Sequence, residues 1–195
     1  DTITTISAQA TGYAVVTPVT VSNVEVLALS DALGAALTTS NISSAINTLE
    51  LQAVTAASNT VNTPAGTFTV RNDANSGLAN NAAALTFDVA GTAATDVLNV
   101  QNAATAAVNN FTAGADLIAT DYETVNFSTG TTAVNGAQTI DVVTVTPTAG
   151  GTSTLNLTGV NGLTTGIITA SVINASGLTG AAALTMGAAA AAGLT

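Results

Sequence analysis

Apolar and polar residues alternate in short bursts along this chain, and the bursts share one form. They are Asn23-Val-Glu-Val-Leu-Ala-Leu29, Asn47-Thr-Leu-Glu-Leu-Gln-Ala53, Thr95-Asp-Val-Leu-Asn-Val-Gln101, Tyr122-Glu-Thr-Val-Asn-Phe-Ser128 and Ser153-Thr-Leu-Asn-Leu-Thr-Gly159. The pairs Leu27/Leu29, Leu49/Leu51, Leu98/Val100, Val125/Phe127 and Leu155/Leu157 stand two apart, the period of a strand with one buried face. A strand so short cannot bury its apolar face alone. Recurrence of the unit therefore predicts copies that cover one another, a repetitive β architecture with a structural role.

Between these units lie further strand patterns. Thr11 to Val26 is rich in Val and Thr, Thr67-Phe-Thr-Val70 and Leu85-Thr-Phe-Asp-Val89 alternate, Thr139 to Thr146 is a β-branched run ended by Pro147, and Ile167 to Ile173 is another. Turn residues separate them at Asn72-Asp73, Asn75-Ser-Gly77, Asn80-Asn81, Gly130, Asn135-Gly136, Gly150-Gly151, Asn161-Gly162 and Ser176-Gly177. Pro64 and Pro147 belong at strand edges or turns, since neither can donate to a ladder. The spacing is uneven, so no single repeat length is predicted. Asn41 to Thr48 carries a cap residue and Ile42, Ala45 and Ile46 at helical spacing, which predicts one or two helical turns. Asn102 to Asn109 and Ala181 to Ala192 are Ala-rich and helical by intrinsic propensity, but Leu184-Thr-Met186 repeats the alternation and argues for strand there. The reading is one repetitive β domain over 1–195, with an irregular insertion over 54–84.

Composition narrows the function. The 195 residues are 47% hydrophobic but only 3% aromatic, so a core of Ala, Val, Leu and Ile is expected, in thin layers of small side chains. Absence of Cys and His excludes disulfides, thiolate or imidazole zinc sites, and Ser-His or Cys-His nucleophile pairs. One basic residue, Arg71, stands against eleven acids, a net charge of -10 that repels phosphate backbones and anionic lipid. Nucleic acid is excluded as a partner. No run approaches the apolar length of a membrane helix, so membrane insertion is not expected. The chain starts at Asp1 rather than Met and is expected to be a processed chain or a piece of a larger extracellular protein.

The runs Tyr122 to Gly130, Ser153 to Gly159, Ile173 to Met186 and Leu85 to Val100 resemble the repeats of bacterial surface-layer proteins and related repetitive exoproteins exported by type I secretion. The resemblance covers most of residues 20–60 and 85–190. It implies a β-solenoid at the cell surface that self-assembles into a layer, sheath or filament with the help of calcium, without catalysis. The partners it implies are copies of the chain itself and cell-surface polysaccharide. The Gly-Gly-x-Gly-x-Asp nonapeptide through which such exoproteins bind calcium is absent.

The acids are the candidate calcium ligands. Asp121 and Glu123, two apart, would share one strand face, with Asp116 just upstream, while Asp88 and Asp96 flank the turn Ala90 to Thr95. Calcium takes such oxygen clusters, and the competing reading is that isolated acids keep a neutral surface hydrated. Glu25 and Glu50 fall at polar strand positions and read as solvated. Arg71 is expected to pair with Asp73 in a local turn. The pairs Thr67/Thr69 and Thr144/Thr146 put hydroxyls on one strand face, as ice-binding solenoids do, but β propensity explains them and the uneven spacing argues against a regular array. Carboxylate acid/base catalysis is the one chemistry left open, and no fingerprint marks a pair. An adhesin or fibre-like module recognising glycan or a cell surface is the rival reading, although Tyr13, Tyr122 and four Phe offer it little aromatic surface. The expected fold is an elongated right-handed parallel β-solenoid of irregular rungs, with an Ig-like β-sandwich as the alternative.

Overall fold

The computed structural model describes residues 1–13, 21–53, 57–72, 83–91, 93–103, 114–132, 138–179 and 183–189. Its elements are β1 (Thr2–Thr5), α1 (Ser7–Tyr13), β2 (Val26–Leu29), β3 (Leu37–Thr38), β4 (Thr48–Leu51), β5 (Asn59–Thr63), β6 (Thr67–Asn72), β7 (Leu85–Val89) and β8 (Val97–Gln101). They continue with β9 (Asp116–Thr120), β10 (Thr124–Ser128), β11 (Gln138–Thr146), β12 (Thr154–Gly159), β13 (Leu163–Thr169), β14 (Val172–Leu178) and β15 (Leu184–Ala189). Strands β1, β2, β4, β6, β8, β10, β12 and β14 form one sheet in that order, and β3 to β15 in odd steps form the second. Neighbours are parallel in both sheets. Each coil thus gives one strand to each sheet, which makes the chain a parallel β-solenoid and excludes the sandwich, whose neighbours run antiparallel.

The recurring word proves to be the mark of one sheet. All five copies, at β2, β4, β8, β10 and β12, lie in the eight-stranded sheet. Stacking aligns their apolar residues into rows: Leu27, Leu49, Val70, Val100, Phe127 and Leu157 stand opposite one another in successive rungs. The second sheet meets them with Leu37, Val61, Phe87, Ala119 and Val145. The core is not built from small side chains alone. Phe68, Phe87, Phe127 and Tyr122 are among its largest fully buried side chains.

Outward on the same sheet runs an asparagine ladder. Asn126 Nδ2 donates to Asn99 Oδ1 (2.9 Å), Asn156 Nδ2 to Asn126 Oδ1 (2.9 Å) and Asn174 Nδ2 to Asn156 Oδ1 (3.3 Å). Thr69 accepts from Asn99 at one end, and the Ser176 hydroxyl donates to Asn174 Oδ1 at the other. Ladder neighbours are 30, 27, 30 and 18 residues apart in sequence. The loops absorb this unevenness and the rungs do not feel it. Gly159 shows how closely the corners approach: at φ 120°, a Cβ there would lie 2.4 Å from Thr129 Oγ1 and 2.7 Å from the Gly130 carbonyl oxygen.

Several expectations change. The first part of Thr11 to Val26 is the end of α1, residues 14–20 lie outside the described residues, and strand resumes only at Val26. The helix packs against β3, with Ala10 fully buried, and is pinned where Ser7 N–H donates to Asp31 Oδ1 (2.5 Å) and Gly34 N–H to Ser7 Oγ (2.9 Å). It occupies the place where the first coil would put a strand in the second sheet. Helix near Asn41 shrinks to a 3-10 turn, Thr39–Asn41, because Ile42 and Ile46 turn into the core between β3 and β4. Ile167 to Ile173 is two strands, since Ala170 and Ser171 form a corner. Within 54–84, residues 57–72 form β5 and β6 in register with their neighbours, so this part belongs to the stack. Leu184 to Ala189 is strand, as the alternation predicts, whereas 104–109, 181–182 and 190–192 lie outside the described residues, as do the turns at Asn75, Asn80 and Asn135.

Because each rung's backbone ladder joins it only to the rungs beside it, damage to a central rung should weaken the whole stack. Phe127→Ala is expected to cost about 3–5 kcal/mol, and Asn126→Ala, which breaks the half-buried ladder, about 1–2 kcal/mol. Urea unfolding followed by circular dichroism measures both. A larger loss for Asn126→Ala than for Phe127→Ala would mean that the ladder, not the apolar rows, dominates cohesion.

Candidate functional site

The corners leading into the eight-stranded sheet carry the chain's most organised polar chemistry. Gly66, Asp96, Glu123, Ser153 and Ser171 each immediately precede a strand, and the registers of those strands place them in one column. A strand entering a parallel sheet leaves amides at its corner that need acceptors. Side chains supply them from rung to rung. Asp96 Oδ1 accepts from Gly66 N–H (2.5 Å), Glu123 Oε2 from Asp96 N–H (3.0 Å), and Ser171 Oγ from Ser153 N–H (3.3 Å). Glu123 Oε1 also accepts from Thr148 N–H (3.1 Å), pinning the turn after β11, which closes with Gly151 N–H on Thr148 O (2.8 Å).

Tyr122 points from the same corner into the core. It is fully buried, and its hydroxyl lies 2.5 Å from Thr63 Oγ1. Burial pushes the phenol above its ordinary value; the hydrogen bond with Thr63 works the other way, and the charges of Asp96 and Asp88 add to the upward shift. The opposite corners use amides instead. Asn72 Nδ2 donates to Asn102 Oδ1 (2.9 Å), and Asn161 Nδ2 to the carbonyls of Thr129 (2.8 Å) and Thr132 (3.0 Å).

The five acids proposed as calcium ligands are distributed as follows. Asp96 and Glu123 adjoin in the corner column, with Asp96 fully buried. Asp88 and Asp116 project outward from β7 and β9. Asp121 does not share a strand face with Glu123, because it forms the corner itself at φ 60°, a conformation Asp tolerates. Among the described residues no three acidic side chains converge in a way that could hold a metal. Sequence reasoning missed Thr63, Thr148, Ser153 and Ser171 as members of this region. Their only signal was a position at or beside the end of a strand.

Arg71 pairs across rungs and not locally. Its Nε donates to Glu50 Oε2 (3.0 Å) on the adjoining strand, and Gln52 Nε2 holds Glu50 Oε1 (2.9 Å), so Glu50 is engaged rather than merely solvated. Asp73 lies outside the described residues.

The outer face of the second sheet differs from the first. Thr60, Thr86, Ile118, Thr144 and Thr169 form one rank and Asn62, Asp88, Thr120 and Thr146 the next, in register across rungs roughly 4.8 Å apart. Toward β15 the column Asp141, Gly166, Gly187 floors an open depression of about 370 Å³ edged by Thr139, Thr164, Thr185 and Met186. Ile167 is 43% exposed beside it. No described helix is long and apolar enough to cross a membrane. Comparison with models of known families, with curated proteins and with solved structures finds no match.

Tyr122 sets a pH prediction. Its folded-state value lies above its unfolded one, so the stabilisation of the neutral phenol is fully present below about pH 10, the ordinary tyrosine value, and is lost as pH rises from there through the folded value. Urea midpoints measured between pH 8 and 11 should fall at the alkaline end. Tyr122→Phe should be less stable at neutral pH but flatten that fall; an unchanged slope would mean that other groups control alkaline unfolding.

Proposed function

We propose that this chain is a non-catalytic structural segment of a secreted, cell-surface protein, which self-assembles through its solenoid into a layer, sheath or filament. The observation that carries the reading is the stack of two parallel sheets itself, in which each coil is joined to the coils beside it by a backbone ladder that further strands can extend. Unpaired strand edges are templates for further strands and are commonly blocked with Lys or Pro. Neither residue occurs in β14 or β15. Partners are then copies of the same chain, with surface polysaccharide as the anchor, and the surface-layer resemblance of the repeats points the same way. Buried Tyr122, Phe68, Phe87 and Phe127 leave few rings for stacking a sugar substrate, in keeping with a role without catalysis.

A second reading draws on the threonine ranks of the other sheet. Their outward hydroxyls and the depression beside Asp141 suit recognition of a hydroxylated surface such as glycan.

Negative-stain electron microscopy of the purified chain, with calcium and with a chelator, tests the first reading. Ordered arrays or fibres are expected, and a strictly monomeric protein under both conditions would remove it. Micromolar binding on a glycan array by that monomer would establish the second.

A further inference from the structure

The two sheets differ in the charge of their outer faces. In the strands of the eight-stranded sheet the charged residues are Glu50 and Arg71, which pair with each other, and from β8 to β14 the strands hold no charge at all. The strands of the second sheet hold Asp88, Asp116 and Asp141 and no base.

This asymmetry decides where a second copy can sit. The chain carries a net charge of -10, and its single basic residue is engaged by Glu50, so the acids of one copy find no basic side chain on another. Acids set against acids across a contact are strongly unfavourable. The second sheet exposes Ile167, but Asp141 lies beside it, its Oδ1 2.6 Å from where a Cβ on Gly166 would stand. The eight-stranded face avoids this conflict. The acids at its corner are Asp96, which is buried, and Glu123, whose carboxylate accepts from the amides of Asp96 and Thr148.

The groups on this face can also pair with their own kind. Asn126 and Asn156 each use one donor and one acceptor in the ladder, whereas a carboxamide has two of each. Beside the half-buried ladder runs the row Gln101, Ser128, Thr158, in which Gln101 and Thr158 are exposed. A twofold contact sets one patch against itself and so favours groups that both donate and accept, as amides and hydroxyls do. Asn and Gln ladders stacked between paired sheets are a known form of dry contact.

We propose that the outer face of the eight-stranded sheet is the lateral contact between copies of this chain, so that solenoids pair back to back and leave their acidic sheets outward. The inference rests on the assembly reading above and adds to it which face is covered. From β4 to β14 the face measures about 24 Å by 16 Å, well under the roughly 800 Å² that each partner gives to a standard stable interface. A single contact is therefore weak, and coils joined end to end present many at once.

Negative-stain electron microscopy of the full chain tests the face when one charge is added to either sheet. Thr158→Glu charges the eight-stranded face and Thr169→Glu the second sheet, both at exposed positions. The parent chain should form assemblies two solenoids thick. Thr158→Glu should give single-width assemblies or require at least fivefold more protein to assemble, and added salt, which screens the new charge, should restore pairing. That recovery, with an unchanged melting temperature of the dilute chain, separates a lost contact from a lost fold. Thr169→Glu should assemble as the parent does. Unaltered width and concentration dependence in Thr158→Glu would overturn the face while leaving assembly itself intact, and so would a defect confined to Thr169→Glu, which would put the contact on the acidic sheet. A parent chain that stays monomeric throughout would remove the assembly reading and this inference with it.

Discussion

Backbone hydrogen bonding between parallel rungs is the constraint on which the rest of this structure depends. A parallel ladder forms only when neighbouring strands lie in register, and each rung here is too thin to hold its shape alone. Register then decides what every side chain meets. Leu49 stacks on Leu27 and under Val70, Asn126 stacks between Asn99 and Asn156, and Glu50 meets Arg71. Like on like is favourable for apolar groups and for amides, which both donate and accept. It is unfavourable for acids, and along the strands acids are not placed opposite one another.

The corners must reconcile that regular stack with connections of very different length. They do so with side chains that take over amides the ladder leaves unserved. Asp96, Glu123 and Ser171 do this on the way into the eight-stranded sheet and Asn72, accepting from Ala103 N–H, does it on the way out, where Asn161 instead donates to the carbonyls of Thr129 and Thr132. Glycines at the points of closest approach, such as Gly159 against Thr129, let one coil settle on the next. At the corner where Asp96 and Glu123 adjoin, Asp96 Oδ2 and, in the turn held by Glu123, Thr148 Oγ1 are buried without a hydrogen-bond partner among the described residues.

Much of the fold was legible in the chain because strand alternation is a local signal. The all-β class follows from it, as do the positions of Pro64 and Pro147 just after β5 and β11, whereas the choice of parallel solenoid over sandwich rests on strand pairing that alternation does not reveal. Other features were not legible. Strands β5 and β9 carry weaker alternation, Asn-Thr-Val-Asn-Thr and Asp-Leu-Ile-Ala-Thr, and declare themselves only beside neighbours that supply their ladders. Helix α1 contains Thr11 and Gly12 in a stretch whose later Val-rich part reads as strand, and its packing on β3 overrides that local preference. Of the candidate ligands, Asp96 and Glu123 are brought together from 27 residues apart, whereas Asp121 and Glu123, neighbours in sequence, are separated by the turn of the corner.

The sequence by itself determined the class of element, the apolar face of most strands, the lack of any base but Arg71 to balance eleven acids, and the absence of thiol and imidazole chemistry. These are properties of residues and near neighbours. Tertiary structure alone decided that the five related words share one sheet, that Asn99, Asn126, Asn156 and Asn174 form a single ladder, and that Arg71 pairs with Glu50. It also decided that two acids adjoin at one corner. The physical reason is that a stacking contact joins residues one coil apart, and coil length varies from 18 to 30 residues along the ladder, so chain spacing conceals the regularity that hydrogen bonding restores.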